Sequence, residues 1–100
     1  MKTVIVIREE CHGFIGIAED MESAFDFLLK DNWITENTDF ILNYGIEERE
    51  EFLSLKEIMI KYEFDSLLET LLFFWDNEGD AFFEGVVYFD EETIYKRKED

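Results

Sequence analysis

A chain of 100 residues with one cysteine and no proline is enough for one domain, and its 26 acids against 9 bases leave a formal charge of −17. On a chain poor in apolar residues that charge would forbid folding, because self-repulsion and weak burial cannot offset chain entropy. Here 47% of the residues are hydrophobic and 17% aromatic, including 11 phenylalanines, so disorder is excluded; at this size roughly 65% of the unfolded surface can be buried.

The first predicted elements are strands. TVIVI at 3–7 is a β-branched run and FIGIA at 14–18 is a second short apolar run, so residues 8–13 read as a hairpin connection. The period then changes. Met21, Ala24, Phe25, Leu28 and Leu29 fall at helical spacing behind Asp20 as N-cap, and the helix should end near Asp31 and Asn32. DFILNYG at 39–45 reads as a strand. From Glu47 to Tyr62 the spacing of Phe52, Leu55, Met59 and Tyr62 predicts one amphipathic helix with an acidic exterior.

Ser66 followed by Glu69 has capping-box spacing and opens a further helix through Leu68, Leu71, Leu72 and Trp75. Leu67, Phe73 and Phe74 make that helix apolar nearly all round, which calls for burial on several sides or for a partner. DNEGD at 76–80 reads as a polar loop, and VVYFDEETIYK after it as one or two strands turning at Asp90–Glu92. Strands at both ends with helices between predict an α+β fold: a small antiparallel sheet, N-terminal hairpin plus C-terminal strands, with about three helices packed on one face. No linker, repeat or low-complexity tract interrupts the chain, so residues 1–100 form a single acidic domain.

Cys11 and His12 stand side by side before Gly13. A cysteine nucleophile needs a base converging from elsewhere in the fold, and a structural zinc site needs four cysteine or histidine ligands, against two in this chain. The pair therefore reads as a turn. The alternating acids after Asp76 lack the glycine and glutamate that an EF-hand loop requires, since Ala81 and Val87 hold those places. No phosphate loop, nucleophile elbow or HExxH occurs. The expectation is a protein that is not an enzyme, with no catalytic residue, metal or cofactor.

A single cysteine fits a reducing compartment, the opening MKTVIVIREE carries too short an apolar run for a signal peptide, and Glu69 interrupts the greasiest stretch. A cytoplasmic protein is expected. The charge is also spread along the chain: residues 1–50 hold 12 acids against 4 bases, and residues 51–100 hold 14 against 5. An anionic body disfavours nucleic acid and membrane surfaces as direct ligands and favours a basic protein.

Glu47, Glu48, Glu50 and Glu51 would form a ridge on their helix and are the leading partner-binding patch. Asp76, Glu78 and Asp80, with Asp90, Glu91 and Glu92, are the second set. Such rows can imitate nucleic-acid phosphates before a groove lined with Lys and Arg. The alternative is an interaction or assembly module using an aromatic patch of Phe73, Phe74, Trp75, Phe82 and Phe83, and a homodimer is compatible with it. Crowded carboxylates should also have raised pKa values, so that stability increases as pH falls from neutral.

A one-domain, strongly acidic, proline-free, cysteine-poor chain of this size resembles the inhibitors carried by phages and mobile elements, the anti-restriction and anti-CRISPR proteins. The stretch CHGFIGIAEDMESAFDFLLKDNW is also similar to small proteins of Gram-positive bacteria and their phages. Neither likeness carries residues of known role. The resemblance implies a partner that is a nucleic-acid-binding nuclease of host defence, such as Cas9, blocked at its PAM-reading groove or its heteroduplex channel.

Overall fold

The computed structural model describes residues 2–44 and 49–94. In chain order the elements are β1 (Lys2–Glu9), β2 (Gly13–Ala18), α1 (Met21–Lys30), β3 (Asp39–Tyr44), β4 (Arg49–Ser54), α2 (Leu55–Lys61), α3 (Leu67–Glu78), α4 (Asp80–Phe83) and β5 (Tyr88–Ile94). β1 is the centre of a three-stranded antiparallel sheet, order β2-β1-β5, and β3 and β4 form a separate hairpin. The fold is α+β, with strands of the N-terminal hairpin and the C-terminal strand in one sheet.

The β1–β2 hairpin turns through Glu10, Cys11 and His12, with Glu9 opposite Gly13. Gly13 has φ +69°, the left-handed conformation that closes a three-residue hairpin loop. Ile15 is an extra residue in β2, because the register steps from Ile7↔Gly16 to Arg8↔Phe14. At Gly16 a Cβ would lie 2.8 Å from the Phe27 ring, so a bare backbone is what lets α1 press against β2.

Period-two alternation separates the sheet's faces. Ile5, Ile7, Ala18 and Phe89 turn towards the helices and join the core. There Phe25 of α1 stacks on Phe83 at 5.1 Å and meets Phe89 edge-on at 5.5 Å. A second stack, Phe40–Phe82 at 4.6 Å and Phe74–Phe82 at 4.3 Å, joins the β3–β4 hairpin to α3 and α4. α3 packs against α1, α2 and α4, so its nearly all-round apolar character is met mostly within the chain.

Each longer helix has a local reason for its ends. Asp20 accepts the Ser23 N–H at 2.7 Å, and Ser66 accepts the Glu69 N–H at 3.1 Å. Glu69 reaches back one residue further than a capping box requires, accepting the Asp65 N–H at 3.1 Å. α1 and α2 both finish in a left-handed residue, Asn32 at φ 61° and Glu63 at φ 60°. The N–H groups of Trp33 and Phe64 then close on the carbonyls of Leu28 and Met59, each at 2.9 Å, in the Schellman arrangement.

Three local expectations are corrected. The helix expected over Glu47–Tyr62 is strand β4 over Arg49–Ser54, with Leu53 facing in opposite Phe40 and Phe52 facing out opposite Ile41. Ser54 is the true N-cap of α2, accepting the Glu57 N–H at 3.2 Å. DNEGD is not a loop: α3 continues to Glu78, Gly79 breaks it at φ 61°, and α4 begins at Asp80. No turn occurs at Asp90–Glu92, because β5 pairs with β1 along its whole length, from Lys2↔Ile94 to Arg8↔Tyr88. No helix among the described residues is long and apolar enough to cross a membrane.

Candidate functional site

Cys11 and His12 form a turn. The Glu9 carboxylate accepts the N–H of Cys11 at 3.2 Å and of His12 at 3.0 Å, and His12 Nδ1 lies 2.5 Å from the same carboxylate. The imidazole meets Trp33 edge-on at 5.1 Å, and Cys11 is exposed. The His12 hydrogen bond, then the Cys11 N–H, holds the Glu9 carboxyl below its usual range. Among the described residues no group of three or more His, Cys, Asp or Glu could hold a metal ion.

The described part of the leading acidic ridge lies on a strand and not on a helix. Glu47 and Glu48 lie outside the described residues. Glu50 and Glu51 belong to strand β4, so the three- and four-residue helical spacing on which the ridge depended does not apply to them. Glu51 is opposite Leu42 and has Lys61 Nζ at 3.8 Å. The aromatic patch is corrected too: Phe74, Phe82 and Phe83 are core residues, Trp75 is partly buried, and Phe73 alone of the five is exposed.

The second set of acids behaves differently. Asp76 and Glu78 are exposed in the last turn of α3, where no base is present. Asp90 and Glu92 share the outer sheet face with Arg8, whose guanidinium lies 2.5 Å from Asp90 and 4.0 Å from Glu92. Glu91, opposite Ile5, turns to the helix-bearing face. There a cleft of about 440 Å³ is lined by Ile5, Met21, Trp75, Asp80, Phe89 and Glu91. Beyond Phe89 a second cleft of about 400 Å³ is lined by Asp80 and Phe89 again, with Glu84 and Asp90 among its walls.

The structure therefore brings Asp80 together with Glu91 on one side of Phe89 and with Asp90 on the other, and adds Glu84. Among the described residues no lysine or arginine lines either cleft. Glu84 was missed because nothing in its neighbourhood marks α4 as a helix. A different surface lies on the outer face of the three-stranded sheet, where Phe14, Ile17 and Tyr88 are exposed, at 59%, 56% and 42%, around the buried Val4 and Val6.

Comparisons with family models, curated proteins and solved structures find no match to this chain.

Proposed function

We propose that this protein is a non-enzymatic inhibitor that fills a basic nucleic-acid-binding groove of a host defence nuclease by offering carboxylates in place of phosphates. The observation that supports it is that Asp80 and Glu91 line the cleft on one side of Phe89, and Asp80 and Glu84 the cleft on the other, with no lysine or arginine among the described residues lining either. The partner is a basic protein; nucleic acid and anionic membranes are repelled by a chain of charge −17. That charge exceeds the magnitude of about 2 to 8 that suffices for the solubility of a small domain.

The test is competition with DNA for a CRISPR nuclease, Cas9 first, at increasing salt. Phosphate mimicry predicts a loss of affinity of about tenfold or more between 50 and 200 mM salt. Reversing Asp80, Glu84 and Glu91 to lysine together should abolish inhibition. Inhibition that is indifferent to both salt and reversal would sink the proposal.

A second reading, an interaction or assembly module, is favoured by the outer sheet face with Phe14, Ile17 and Tyr88 exposed. Light scattering at physiological salt tests it. A stable dimer that Phe14→Ser with Ile17→Ser converts to monomer would favour this reading over the first.

A further inference from the structure

The groove between β5 and the α3–α4 corner has an apolar floor and a charged rim, and the two features together select an occupant. We propose that it is a receptor for an arginine side chain presented by the cationic partner. The assignment rests on the reading above that the partner is cationic, and it names which side chain is held and where.

The floor is built. Trp75 is gripped edge-on by Phe89 at 5.3 Å and braced by Phe83 at 6.1 Å and Phe25 at 6.4 Å. It remains partly exposed with Ile5, Met21 and Phe89 beside it, so the apolar surface is held in place before anything binds. The rim carries Asp80 from the start of α4 and Glu91 from β5. At about 440 Å³ the cleft falls at the small end of ligand-pocket volumes.

Other occupants fit less well. An aliphatic side chain would cover the floor but strip water from two carboxylates without bonding them. An anion would be repelled. Calcium takes six to eight oxygen ligands, and among the described residues no group of three or more His, Cys, Asp or Glu could hold a metal ion.

Lysine supplies a compact, strongly hydrated charge that gains little from an aromatic wall. Arginine matches each part: its methylene stem covers Ile5 and Met21, its planar head stacks on an aromatic ring, and its forked donors serve two carboxylates at once. The adjoining cleft past Phe89, with Glu84, takes the flanking residues of the same basic segment.

The test is NMR of the full chain, following the Trp75 indole N–H while acetyl-Gly-Arg-Gly-amide is added, with the citrulline and lysine peptides as comparisons. The arginine peptide should move the Trp75 signal saturably. The citrulline peptide, which keeps the shape and loses the charge, should bind at least tenfold more weakly, and the lysine peptide should be intermediate. Asp80→Asn with Glu91→Gln should cost the arginine peptide at least tenfold, while an unmoved Trp33 indole signal shows that the variant is folded.

Equal binding of the citrulline peptide, or undiminished binding to the double variant, would overturn the assignment. So would a chain that binds and inhibits a nuclease in a salt-sensitive way yet ignores the arginine peptide; the groove-filling reading would then survive without this cleft. Arginine binding as expected, in a chain that inhibits no nuclease, upholds the receptor and removes the reading it was built on.

Discussion

α1 and α3 pack against each other and share the aromatic core, yet their ends are finished differently. Both begin in the same way, with a side-chain cap and an acid in the first turn: Asp20 and Glu22 for α1, Ser66 and Glu69 for α3. α1 also ends well, because Lys30 stands in its last turn, 2.8 Å from Asp26, and Asn32 closes the Schellman turn. α3 ends against its dipole: its last turn has no base and holds Asp76 and Glu78. α1 sets Lys30 against its acidic C-cap Asp31, whereas α3 has no such base at the end that leads into α4 and the candidate groove. Departures from local rules concentrate at functional sites.

The largest way to break the comparison is to remove what the two helices share. Phe25 of α1 is fully buried against Phe83, Phe89 and Trp75 of α3. Phe25→Ala should cost about 3–5 kcal/mol, a large part of the roughly 5–15 kcal/mol that holds a small domain together. Denaturant unfolding should show the loss in a single transition. Two separable transitions would mean that the helices belong to independent units.

Next in size are the helix starts, where the comparison predicts likeness. Ser66→Ala removes the oxygen that accepts the Glu69 N–H and should cost about 1 kcal/mol. Ser54→Ala, at the equivalent place in α2, should cost a similar amount, and it carries a second meaning. Ser54 is where β4 becomes helix, so a loss well above about 2 kcal/mol would show that the cap also fixes the strand's register against β3. Urea midpoints at constant slope measure both.

That junction also shows what the sequence could reveal. α1 was legible because its signals are local: Asp20, the apolar spacing and the closing Asn32 lie within one short stretch. β4 was not, because Phe52, Leu55, Met59 and Tyr62 keep helical spacing across the junction, and only pairing with β3, a non-local event, makes residues 49–54 extended. The Ser54–Glu57 capping spacing was the one local sign of the true helix start. The groove was hidden for a related reason. A turn at Asp90–Glu92 would have put all three acids at a tip, whereas a straight β5 sends Glu91 to the helix face beside Asp80 and its two neighbours to the other.

Smaller in energy but sharper in meaning is repair of the α3 end. Asp76→Lys with Glu78→Lys removes two unfavourable charges and supplies favourable ones, so each change should stabilise the chain by about 0.3–1 kcal/mol, less in high salt. A basic partner should bind this more stable variant more weakly. Greater stability with unchanged partner affinity would make these acids incidental to docking, and the contrast between the two helix ends would lose its functional meaning.

The smallest effect concerns pH and separates two origins of charge sensitivity. Crowding leads one to expect raised carboxylate pKa values, but the two displaced carboxylates, Glu9 and Asp20, go the other way. Both are held below their usual range, Glu9 chiefly by His12 and Asp20 chiefly by the Ser23 N–H. In the folded state each binds its proton less readily than in the unfolded chain. Their stabilisation is therefore present above the unfolded values of about 4.3 and 3.9 and is lost as pH falls through the lower folded values. Lys30, raised chiefly by Asp26, behaves in the opposite sense: its contribution is present below about pH 10.4 and is lost as pH rises through the folded value. Glu9→Gln with Asp20→Asn should thus melt below the parent at pH 6, and the gap should close as both are taken to pH 2. A gap that stays constant over that range would mean that the two carboxylates act through shape alone.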